Sequence, residues 1–134
     1  MACFFIEDVM IYDEVEDTPA TAQVQGEVAV INDVAAFYLT GNLIGTLAPA
    51  TLEPLTAIYR ARQVLANKMT GSGYAIKHGQ KLYYNKAQDK VQASKPAGTY
   101  AVDYWFCGWA KRDALASDTT VLMNYDGTRY AENI

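Results

Sequence analysis

The residues of this chain whose types could do chemistry are few and far apart. The single histidine, His78, stands between Lys77 and Gly79, with no nucleophile and no orienting carboxylate beside it in sequence. A general base needs such partners within hydrogen-bond reach, so a solvated turn histidine is the expectation. Cys3 and Cys107 lie near opposite ends of the chain. Cys107 is set among Trp105, Phe106 and Trp109, and burial among such rings raises a thiol's pKa and leaves it inert. In a protein made in the cytosol both cysteines read as small core hydrophobes rather than a disulfide. One histidine and no Cys-x-x-Cys spacing exclude a zinc set. Asp8, Asp13 and Asp17 suggest a calcium loop, but the glycine-centred turn and the distal bidentate glutamate are missing, and an acidic face in water is the expectation. Gly41-Asn42-Leu43-Ile44-Gly45-Thr46 is the nearest approach to a phosphate-cradling loop. Its glycine spacing is wrong and it has no lysine. No catalytic, cofactor-binding or metal site is predicted, and the chain is read as a non-enzyme.

The surrounding polypeptide supports a structural reading. At 134 residues it has the length of one domain, and an apolar fraction of 51% is enough for a core. The longest uncharged stretch, residues 34–52, carries Thr40, Gly41, Asn42, Gly45, Thr46 and Pro49. It is too polar and turn-rich to cross a bilayer, which takes about 20 consistently apolar residues. The N-terminus has no basic residue ahead of a short apolar run, so export by a secretory signal is not expected. Charge is distributed unevenly. Residues 1–59 hold nine acidic side chains and no Lys or Arg, whereas residues 60–134 hold eleven basic side chains and six acidic ones. The halves either neutralise each other within one fold or the acidic segment seeks a basic partner surface, since complementary potentials orient docking. Nucleic-acid binding is disfavoured, because a net charge of −4 with scattered lysines makes no basic stripe.

Residues 1–22 read as a separate N-terminal arm, with Phe4, Phe5, Ile6, Val9, Ile11 and Tyr12 interleaved with acids and Pro19 marking a boundary. Residues 23–134 read as a β-rich domain. Val24 to Ile31 forms a strand with a glycine bulge at Gly26, and residues 35–39 form the next. A hairpin runs from 80–84 through a polar turn into 90–93, the most apolar strand covers 99–111, and a last strand covers 119–125. Residues 51–69 fit one face of a helix through Leu55, Ile58, Tyr59, Leu65, Ala66 and Met69. The strand at 99–111 places Tyr100, Val102, Tyr104 and Phe106 on one side and Trp105, Cys107 and Trp109 on the other. Apolar on both sides, it needs cover on both. The cover is either the protein's own arm or helix, or a subunit interface, where aromatics are enriched.

Four segments in order carry a family resemblance: Gly79-Gln80-Lys81-Leu82-Tyr83-Tyr84-Asn85, Asp89-Lys90-Val91, Phe106-Cys107-Gly108-Trp109-Ala110, and Ala116-Ser117-Asp118-Thr119-Thr120-Val121-Leu122-Met123. Gln25-Gly26-Glu27-Val28-Ala29-Val30 joins them more loosely. Together they resemble a family of small phage and prophage head decoration (capsid cement) proteins, some of whose members are labelled recombinases. Asn85 stands where that pattern has aspartate and Ser117 where it has glycine. The resemblance implies a mainly β fold, a small β-barrel or β-tulip-like domain with at most one helix, and it favours β structure near residues 58–65 against the local helical pattern. That segment stays open between helix and strand. The resemblance further implies a homotrimer that binds the major capsid protein on the capsid exterior after assembly in the host cytoplasm, with no nucleic acid, membrane or small-molecule partner. Candidate subunit or capsid contacts are Phe4, Phe5, Ile11, Tyr12, Tyr104, Trp105 and Trp109. The alternatives are a head-fibre base or other virion appendage and, from another class, a recombination accessory enzyme or DNA-binding factor.

Overall fold

A computed structural model describes residues 3–7, 12–19, 21, 23–39, 54–96 and 103–132. Nine strands follow in chain order: β1 Phe4–Ile6, β2 Tyr12–Asp17, β3 Val28–Ile31, β4 Val34–Tyr38, β5 Leu55–Asn67, β6 Lys81–Asn85, β7 Lys90–Gln92, β8 Tyr104–Ala110 and β9 Thr120–Asp126, with a 3-10 turn at Gly127–Arg129. The protein is mainly β, and no α-helix occurs among the described residues. All strands join one sheet in the order β3-β4-β5-β9-β8-β6-β7, with β1 and β2 also on β5. Every named pair is antiparallel and the sheet is strongly curled into a half-barrel. At its far end, a parallel bridge between Lys68 and Val91 brings β7 back to the residue that follows β5.

The long strand β5 organises the rest. Ala66 faces Phe4 on one side and Val121 on the other, and Ala61 likewise faces Tyr12 and Tyr125. β1 and β2 therefore lie in tandem along the edge of β5 away from β9. Residues 51–69 look helical in sequence because two register shifts interrupt β5, one opposite Asp13/Glu14 and one between Ala61 and Val64. Each extra residue stretches the strand's period of two into a step of three. Ile58, Ala61 and Val64 thus all face the core at a spacing that imitates a helix. Among the described residues of that segment the helical alternative is corrected to strand, as the family resemblance favoured. Val24 to Ile31 is also shorter as a strand than expected: Gln25 and Gly26 form a turn, and pairing starts at Val28.

The N-terminal segment belongs to the domain, which corrects the boundary expected near residue 22. Phe4 is completely buried, with ring centroids 5.5 Å from Phe37, 4.8 Å from Tyr125 and 5.9 Å from Tyr84. The backbone is tied as well. Cys3 N–H donates to the Gly26 carbonyl at 3.2 Å, and Asn67 N–H donates to the Cys3 carbonyl at 2.9 Å. The physical reason is that β5 is longer than any one neighbour. Its edge away from β9 would be unpaired without β1 and β2, and bare edges are costly.

A second tie lies at the barrel's end. Lys68 follows β5 directly and is 1% exposed. Its ammonium donates to the carbonyls of Met69 at 2.7 Å, Leu115 at 3.0 Å and Asp118 at 3.0 Å, with Ala116 at 3.5 Å. It thereby fixes the loop between β8 and β9 to the end of β5. Burial lowers the proton affinity of this amine, and the Asp118 carboxylate opposes that shift. Lys68→Met keeps the apolar stem but leaves these carbonyls without their donor. We expect a loss of about 3 kcal/mol, because a buried polar group left unpaired costs roughly 1–3 kcal/mol. Urea denaturation checks this; a variant matching the parent midpoint would mean that the carbonyls do not depend on the ammonium.

Candidate partner-binding cleft

The residues singled out for chemistry do not converge. His78 is exposed in the turn before β6, where its backbone N–H donates to the Asp113 carboxylate at 2.7 Å. Cys3 and Cys107 are both buried as free thiols in the same core cluster. Burial pushes both thiols up, Cys107 by desolvation alone, and away from nucleophilic use. Asp13 is paired with Arg60 at 3.5 Å, and Asp17 accepts from the Tyr38 hydroxyl at 2.8 Å. Asp8 and the glycine-containing segment at 41–46 lie outside the described residues. Among the described residues no group of three or more His, Cys, Asp and Glu could hold a metal ion.

The aromatic contact candidates divide. Phe4 and Trp105 are core residues and cannot reach a partner, which corrects their assignment to an interface. Trp105 is 7% exposed and packs at an angle between Tyr84 at 5.7 Å and, edge-on, Tyr130 at 5.4 Å. Phe5 and Tyr104 are half-buried, Tyr12 is 36% exposed, and Ile11 lies outside the described residues. Trp109 is half-buried but is not on the side expected. Leu82 pairs with Gly108 and Tyr83 with Phe106, so β8 carries one extra residue at Cys107. A bulge reverses the alternation beyond it. Trp105, Cys107 and Ala110 accordingly face the core, while Trp109 joins Phe106 on the other face, with their rings 5.0 Å apart. Phe106 is 1% exposed, and Tyr83 and the Arg129 guanidinium pack on it. At this point the second face of β8 is covered within the chain.

Beyond Phe106 the cover ends and a cleft opens. It encloses about 350 Å³ over β2, β5, β9 and β8, and its lining includes Tyr12, Arg60, Arg62, Trp109, Asn124 and Asp126. Strand register builds it in two rows. In the first, Arg60 lies between Asp13 of β2 and Asp126 of β9. In the second, Trp109 pairs with Asn124, and the extra residue of β5 brings Arg62 and Gln63 opposite Asn124. The rows differ in charge. Arg60 is flanked by carboxylates, whereas the Arg62 side chain forms no ion pair or hydrogen bond among the described residues. An exposed guanidinium beside an indole and an amide can receive a carboxylate while the indole covers an apolar stem. Among the described residues the cleft lining holds no Ser, Thr, Cys, Lys or His.

Sequence reasoning found Trp109 and Tyr12 but missed Arg60, Arg62 and Asn124. The available signal was the charge step itself, since Arg60 is the first basic residue of the chain. The described residues thus form an antiparallel half-barrel with a cation-and-aromatic cleft outside its core. No family model, no curated protein and no solved structure matches the chain.

Proposed function

We propose that this chain is a structural virion protein, a capsid decoration (cement) subunit that binds the outside of a phage head as a homotrimer, with the major capsid protein as its partner. The observation that carries the reading is where the resemblance-bearing segments fall. The four principal ones form one continuous part of the sheet, β7-β6-β8-β9, together with the turns that shape it, while the looser segment at Gln25–Val30 runs into β3 at the other end. Their polar groups act on the backbone of the fold. Gly79 N–H donates to the Ala110 carbonyl at 2.8 Å, the Asn85 side chain accepts from Gln88 N–H at 3.3 Å, and the Asp118 carboxylate accepts from Leu115 N–H at 2.8 Å. Motif residues used this way specify a scaffold, and a scaffold that displays aromatic and charged side chains outside its core is what adhesion requires.

The mechanism is adhesion: contacts of moderate strength, repeated by symmetry, that hold the shell against outward pressure. The test is co-sedimentation of purified protein with capsids of the virus whose genome carries the gene, joined to the position of that gene. Saturable binding to the shell, with the gene beside a major capsid gene, is the expected result. Salt-dependent retention on DNA with no capsid binding would replace this reading with the nucleic-acid alternative.

A further inference from the structure

The row that forms the cleft continues past it. Lys81 of β6 pairs with Trp109, so Lys81, Trp109, Asn124 and Arg62 follow one another across β6, β8, β9 and β5. Lys81 and Arg62 are exposed, and neither side chain has an ion pair or hydrogen bond among the described residues. The complementary charges are on β2. Val15 turns toward the small cluster of Ile31, Ala36, Tyr38, Leu55 and Ala57, which directs Glu14 and Glu16 to the opposite face. Both glutamates are exposed and have no ion pair or hydrogen bond from their side chains among the described residues. β2 pairs only with β5, so its outer edge is free among the described residues. The internal pair Arg60–Asp13 satisfies one arginine of β5 with one acid of β2 and leaves Arg62, Lys81, Glu14 and Glu16 over.

We propose that the Arg62–Trp109–Lys81 row is the docking site for the β2 edge of a second copy of this chain, with Glu14 and Glu16 seated on the two cations across the Trp109 indole. The inference deepens the assembly reading above and rests on it. Dimensions permit the contact. Carboxylates two residues apart on a strand are about 7 Å apart, and Arg62 and Lys81 stand roughly three strand spacings, about 14 Å, apart. Both have long, flexible side chains, able to reach several ångströms inward from their strands. Arg and Trp are the residue types that dominate interface energetics, and the row has both. Because each copy carries the acidic edge and the cationic row at different places, the contact is head-to-tail and repeats until it closes on itself, at three copies in a trimer. This assigns the charge step of the sequence a role between copies that its one cross-half pair described in the cleft does not exhaust.

Charge exchange tests it. Light scattering and sedimentation at high micromolar concentration should show an oligomer for the intact protein. Arg62→Glu with Lys81→Glu, and separately Glu14→Lys with Glu16→Lys, should each weaken self-association on the order of 100-fold or more. Their circular dichroism spectra should remain those of the parent, since all four side chains are exposed in the single chain. All four changes in one chain should restore the oligomer, because the row and the edge then exchange signs together. A merely destabilised variant would not be rescued in this way. A monomeric parent, or oligomers unaffected by either double change, overturns the inference. If the oligomer is unaffected but capsid binding is lost, the row faces the shell and the decoration reading survives alone. If the exchange behaves as expected while capsids are never bound, the copy-to-copy contact stands and decoration fails.

Discussion

A chain lacking residues 2–18 is expected to be unfolded, not merely weakened in assembly. Phe4 stands at the centre of an aromatic cluster with Phe37, Tyr84 and Tyr125, and is fully buried. Removing such a side chain alone costs about 3–5 kcal/mol. The deletion also strips β1 and β2 from β5, exposing that edge over most of its length, and takes away the Cys3 carbonyl that accepts from Asn67. Against a typical total stability of about 5–15 kcal/mol, the sum leaves little or no folded population. Circular dichroism and a thermal melt check this, with Phe4→Ala as the milder companion that should melt cooperatively at a lower temperature. A truncated chain with a cooperative transition near that of the intact protein would restore the idea of a dispensable arm.

The second large effect is expected from one methyl group. Gly127 opens the 3-10 turn after β9, and a Cβ added there would lie 1.7 Å from the Ala35 carbonyl oxygen. That oxygen is already fixed by the Tyr125 hydroxyl, which donates to it at 2.6 Å in the core. The obstacle is backbone, so no side-chain rotation relieves it, and β4 or the turn must move. Gly127→Ala should lower stability by about 4 kcal/mol or more, at the extreme of single substitutions. Gly108→Ala should behave similarly, since its added Cβ falls 1.9 Å from the Asn124 carbonyl oxygen at a φ of +138°. Gly73→Ala separates the two causes. It has a φ of +89° with nothing within 4 Å, so it carries backbone strain without collision and should cost only roughly 1–2 kcal/mol. Equal melting temperatures for the Gly73 and Gly127 variants would refute the close-approach argument.

Such contacts explain why some of the molecule was legible in sequence and some was not. Strands β4, β6, β7, β8 and β9 fall close to where alternation, turn residues and the family resemblance put them, because each is specified by its own few residues. The three register shifts in β5 and β8 depend on what lies on the neighbouring strand. They account for the helical look of residues 51–69 and for placing Trp109 on the wrong face. Of the contact candidates, exposure leaves Tyr12 and Trp109 in the cleft, and takes Phe4 and Trp105 into the core.

By itself, the sequence determined a mainly β domain, the sites of its turns, and the separation of its acidic residues from its basic ones. These are properties of composition and short-range pattern, and they survive whichever way the strands pair. Tertiary structure alone decided that the N-terminal residues complete the edge of β5, that Lys68 seals the barrel's end, and that Arg62 and Trp109 meet in a cleft. Each of these joins residues distant in the chain through strand register. One inserted residue changes register enough to turn a side chain from core to surface, because successive side chains of a strand point to opposite faces.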